Sequence, residues 1–138
     1  MDQPEQPLKL NRLLWAWPLA LGASVAAVLL IRGVAVALLR PSADFLPLSI
    51  ATPVVDTVVA VCLAAFVFLA TARYSLDPVR EYRSLAVKVL VLSFVPDLAL
   101  AIFHWLGGGW PEATALMVMH VAVWAIFIFV FPLATKSS

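Results

Sequence analysis

The chain has 138 residues, 64% of them hydrophobic and only 12% charged, with a formal net charge of +1 and a mean hydropathy of +1.02. So small a body cannot cover that much apolar surface in water, which excludes an ordinary soluble domain. Nine basic residues scattered over short segments give no basic face for nucleic acid, and a single cysteine, Cys62, excludes an intrachain disulfide.

In chain order, residues 1–12 form a polar segment containing Pro4 and Pro7, expected on the cytoplasmic side. The first apolar run, 13–39, closes at Arg40-Pro41 and is long enough to cross about 30 Å of hydrocarbon. Its length, and the three further runs that follow, mark it as a retained helix rather than a signal peptide. Gly22 with Ala26, and Ala23 with Ala27, have the small-xxx-small spacing that lets membrane helices pack closely.

The second span is expected over 53–72, with Thr52 as N-cap and Pro53 as first helical residue. Asp77-Pro78 starts a third helix, 78–106, which enters the hydrocarbon near residue 85 and carries a kink-inducing Pro96. Gly107-Gly108-Gly109 breaks the chain before a fourth span, 111–131, expected to stop near Pro132 and leave a cytoplasmic tail, 134–138. The expected fold is an all-α membrane protein, an antiparallel four-transmembrane-helix bundle filling 13–133. Lys9, Arg12, Arg73, Arg80, Arg83, Lys88 and Lys136 fall at one side, which places both termini in the cytoplasm. Trp15 and Trp17 near one interface and Trp105 and Trp110 near the other make an aromatic belt.

One ionisable residue from each span falls at a similar depth. Counted at about 1.5 Å per residue, Arg32 lies roughly 10 Å, Asp56 roughly 5–10 Å, Asp97 about 13 Å and His120 about 13 Å below the outer ends of their helices. Hydrocarbon penalises unpaired polar groups, so these four are expected to face the interior, with Arg32 pairing Asp56 or Asp97 and His120 bridging to a carboxylate. The formal charge of such a cluster is −1, and protonating His120 or a carboxylate neutralises it, the basis for a response to protons. Ser93, Pro96, Met117 and Trp124 are candidates for lining a cavity beside it. A structural interhelical network explains the same residues, and both readings stand at this point. No catalytic signature, metal-ligand spacing or cofactor motif is present.

The strings Val91-Leu92-Ser93-Phe94-Val95-Pro96 and Ala115-Leu116-Met117-Val118-Met119-His120 resemble patterns in an uncharacterised family of small four-helix bacterial integral membrane proteins. That resemblance implies a bacterial cytoplasmic membrane and draws attention to Ser93, Pro96 and His120, but it implies no chemistry. Two functions compete: a binding or transport-associated protein handling a small ligand or proton at the polar layer, and an accessory subunit of a larger membrane assembly. A lipid- or isoprenoid-modifying enzyme ranks third. The expected partners are membrane lipid and either further copies of the chain or another membrane protein.

Overall fold

Leu13–Leu39 form one continuous helix, α1, entered through a short 3-10 turn at Leu10–Arg12. Pro41 bars Arg40 from continuing in the right-handed conformation, and Arg40 closes the helix at φ 47 with its N–H on the Val36 carbonyl. The computed structural model describes residues 8–136, so the expected polar segment up to residue 7 and the last two residues of the tail lie outside the described residues. The second helix, α2, spans Ala51–Tyr74, α3 spans Pro78–Phe103 and α4 spans Trp110–Thr135.

Several helix ends differ from the sequence expectation, among them the far end of α2, which runs to Tyr74 rather than 72, and the start of α4 at Trp110 rather than 111. Helix α2 begins before Pro53, and the hydroxyl that takes up an early amide is Ser49's, which accepts the Thr52 N–H at 3.3 Å. Pro53 then sits where a missing N–H leaves no helical bond unmade. Helix α3 stops at Phe103 rather than Leu106, because His104 and Leu106 both turn to positive φ and Trp105–Gly107 form a 3-10 turn. Helix α4 runs through Pro132 to Thr135, whose hydroxyl donates to the Phe131 carbonyl at 2.8 Å. The Asp77 cap is present, its carboxylate accepting the Arg80 N–H at 3.1 Å. Glu112 reaches back to the Gly109 N–H at 2.9 Å to start α4.

The packing seam of α1 is Ala16, Ala20, Ser24 and Val28, at four-residue steps, and it lies mainly on α4. The expected seam through Gly22, Ala23 and Ala26 faces outward instead; a Cβ on Gly22 would meet nothing. Both sets have the spacing for close approach. The used set continues into Val28, which is buried and lines the cavity described below.

At one end of the bundle Phe68, Tyr82 and Phe131 from α2, α3 and α4 form an aromatic cluster, with Phe68 and Tyr82 edge to face at 4.9 Å between centroids. The Lys9 N–H bonds the Thr135 carbonyl at 2.9 Å at this same end of α4. At the other end the α1–α2 connection meets the α3–α4 connection: Gly108 is buried so tightly that a methyl group there would collide with Leu100 and Phe45. Glycine is favoured at 108 by this close approach of the Leu100 and Phe45 side chains, not by its backbone angles.

The four helices have windows of mean hydropathy 2.2–2.4, and between 22% and 33% of each window is buried. The remainder is apolar and outward-facing, as with Leu30, Leu38, Phe66 and Leu92. Helices apolar on every side, with so small a share covered by each other, need lipid as their solvent. The chain is an all-α integral membrane protein built as a bundle of four long apolar helices.

Candidate functional site

The half of the bundle nearest the two connections is hollow. A cavity of about 740 Å3 lies between α2, α3 and α4, with α1 contributing only Val28. Its volume falls within the range of about 300–1,000 Å3 usual for small-molecule sites. Helix α2 faces it with Thr52, Pro53, Asp56, Thr57 and Ala60, and α3 with Val89, Leu90, Ser93, Pro96, Asp97 and Leu100. Helix α4 supplies Leu116, Met119, His120, Val123, Trp124 and Phe127, while Pro47, Trp105 and Leu106 come from the connections. Exposed members of the lining, Asp56 on α2 and Val89 and Pro96 on α3, mark an opening between those two helices, with Trp105 and Leu106 at its rim.

The wall is predominantly apolar, and its ionisable groups are three. Asp97 is buried, its side chain 7% exposed, and its Oδ2 lies 2.9 Å from His120 Nδ1 across the α3–α4 contact. A carboxylate oxygen only accepts, so Nδ1 carries the proton and donates. That leaves Nε2 of an imidazole whose side chain is 38% exposed, together with the second Asp97 oxygen, free to meet a ligand. Asp56 stands exposed at the mouth, with no salt bridge among the described residues. The hydroxyls of Thr57 and Ser93 donate to their own helices, to Pro53 at 2.6 Å and Leu90 at 2.7 Å, and keep lone pairs for a guest. Pro96 brings no N–H to the Leu92 carbonyl, which adds another acceptor on that stretch of α3.

Of the four residues expected to share a polar layer, the structure joins two. Asp97 and His120 pair, and Asp56 lines the same cavity. Arg32 does not take part: its Nε donates to the carbonyls of Leu48 at 2.8 Å and Ser49 at 3.1 Å, so it pairs neither Asp56 nor Asp97. The connection after α1 folds back within reach of its guanidinium, and backbone carbonyls there accept from its Nε. Ser93, Pro96 and Trp124 are among the residues lining the cavity and Met117 is not; Met119 and Leu116 line it from α4. The signal was available in the spacing, since 116, 120, 123/124 and 127 recur at helical period from His120. His104 stays at the rim, its Nδ1 3.3 Å from the Gly108 carbonyl oxygen. Among the described residues no three His, Cys, Asp or Glu side chains converge to hold a metal ion.

Phe127 separates the hollow from the packed half. Its side chain lines the cavity, and its carbonyl accepts from the Tyr82 hydroxyl at 3.5 Å, tying it to the aromatic cluster beyond. The cavity's lining therefore stops at Phe127, behind which the Phe68–Tyr82–Phe131 group packs.

No family model, curated protein or solved structure matches this chain. The likeness of the third and fourth spans to a family of small four-helix membrane proteins thus rests on those two short apolar strings alone.

Proposed function

We propose that this chain is a membrane-embedded binding protein that takes a small, mainly apolar ligand into the cavity between α2, α3 and α4, with Asp97 and His120 as its polar anchor. The observation that carries the reading is a charge-assisted pair opening into an otherwise apolar cavity: buried polarity is costly in lipid, and here one side of the imidazole is left open. The helices run up-down-up-down, supported by the meeting of the two connections at one end and of Lys9 with Thr135 at the other. The excess of Lys and Arg at the terminal end puts both termini in the cytoplasm and the cavity in the outer half of what we read as a bacterial cytoplasmic membrane. Proton uptake at the pair would change its charge and so the ligand's fit.

The test uses the full chain in zwitterionic nanodiscs and Nile red, a neutral dye that brightens in dry apolar sites. Saturable binding above that of empty discs is expected, and Ala60→Trp, which fills the cavity from α2, should abolish it. Equal binding by the filled variant overturns the reading.

A second reading, an accessory subunit of a larger assembly, draws on the outward small residues of α1. Gly22, Ala23 and Ala26 are exposed and would let another membrane helix approach closely. Gly22→Leu should then release a partner that co-purifies with the unmodified chain; retention of that partner counts against this role for the face.

A further inference from the structure

The chemistry of the cavity wall narrows the ligand class. Asp56, Asp97 and His120 are its ionisable groups, and no lysine or arginine lines it. Arg32, the one basic residue within a helix at this depth, is held by the Leu48 and Ser49 carbonyls. With a neutral imidazole and both aspartates ionised, the wall carries two negative charges; with an imidazolium, the Asp97–His120 pair is neutral and Asp56 leaves one. Neither state is positive. A wall of this sign in a low-dielectric surround repels anionic headgroups and attracts cations far more strongly than it would in water.

The hydrogen-bonding groups agree with the charge. Free acceptors, namely the second Asp97 oxygen, the Asp56 carboxylate and the hydroxyl lone pairs of Thr57 and Ser93, outnumber the one buried unpartnered donor on a lining residue, Trp124 Nε1. A guest that satisfies them brings donors. Trp105 and Trp124 belong to the same wall, and indole rings attract cations. Apart from Thr52, whose hydroxyl pairs with that of Ser49, the remaining wall is mainly apolar, which a hydrated metal ion cannot use and an alkyl or aryl body can. The opening between α2 and α3 faces the lipid-exposed surface.

From these observations we infer that the ligand is a monocationic amphiphile, a lipophilic amine that enters between α2 and α3, is drawn in by Asp56, and sets its ammonium against Asp97 and His120. This rests on the cavity-binding function proposed above and names its ligand class.

The experiment compares three probes with one skeleton and different heads: phenylbutylamine, phenylbutanol and phenylbutyrate. Each is titrated calorimetrically, or by displacement of Nile red, against the full chain in zwitterionic nanodiscs, with empty discs subtracted. The amine should bind at least about tenfold more tightly than the alcohol, a difference of about 1.4 kcal/mol, and the carboxylate should bind weakest. Asp97→Asn should erase the preference of amine over alcohol. Asp56→Asn, at an exposed position, should weaken the amine severalfold and the alcohol by clearly less, so the test survives if Asp97→Asn does not assemble; an equal loss for both probes overturns the charge argument. Equal or tighter binding of the alcohol or the carboxylate overturns cation selectivity while leaving the cavity-binding function standing. Failure of all three probes to bind where Nile red does bind also overturns this inference alone; failure of Nile red as well removes both.

Discussion

The pair between α3 and α4 makes an asymmetric prediction about stability. Replacing His120 by Ala strands the Asp97 carboxylate, whose side chain is 7% exposed. Breaking a buried pair in this direction costs about 3–5 kcal/mol, and access from the cavity sets the expected loss at the low end, about 3 kcal/mol. Replacing Asp97 by Ala leaves an imidazole that is 38% exposed and can meet water through the cavity, so the loss is that of one hydrogen bond, about 1–1.5 kcal/mol. Interhelical side-chain bonds in a membrane protein reach about 1.7 kcal/mol in double-mutant cycles, and a charge-assisted bond of 2.9 Å belongs near that upper end. The double variant should therefore lose about 1.5 kcal/mol less than the two single losses added together, well outside the roughly 0.3–0.5 kcal/mol within which independent sites add. The assay is reversible unfolding in mixed micelles by increasing sodium dodecyl sulfate, followed by far-ultraviolet circular dichroism. Additive losses, or a larger loss from Asp97→Ala than from His120→Ala, would refute the reasoning.

Other substitutions follow from the packing. Ala20→Leu, in the seam of α1 on α4, should destabilise by about 2–3 kcal/mol through overpacking, whereas Gly22→Leu, on the outward face, should change stability by less than about 0.5 kcal/mol; the same detergent titration reads both. Ser24 is fully buried and its hydroxyl has no partner among the described residues, so Ser24→Ala should be neutral or stabilising by up to about 1 kcal/mol. Arg32→Gln removes the guanidinium that pins the α1–α2 connection, and proteolysis of intact proteoliposomes should cut residues 41–50 faster, with a stability loss of about 2 kcal/mol. Gly108→Val should cost about 1–3 kcal/mol, because the added atoms meet Leu100 and Phe45 where the two connections touch.

Depth along each helix was legible in the sequence; rotation about it was not. Counting residues from the span ends placed Asp97 and His120 at one level, and they pair there. The same count put Arg32 nearby, but depth says nothing of the Leu48 and Ser49 carbonyls, which become reachable only when the connection folds back. Helices apolar on all sides carry no polar face to reveal which side is inward, so Gly22–Ala26 and Ala16–Ala20–Ser24 were equally good seams on spacing alone. Met117 failed as a lining residue for the same reason, two positions from Met119, which occupies the wall. The Asp77 start and the Arg40-Pro41 stop were readable because cap and breaker act locally. The end of α4 was not, since Pro132 lies near the helix terminus, where the interruption is tolerated and Thr135 can still bond back.

Phe127, with the ring cluster packed behind it, gives the hollow a floor. On the proposed binding role, a guest that arrived through the α2–α3 gap would find no continuing passage in this conformation and would leave the way it came. Under that role and the proposed orientation, a single copy would be a receptacle that samples one leaflet. Carrying cargo to the opposite leaflet would first require Phe68, Tyr82 and Phe131 to come apart.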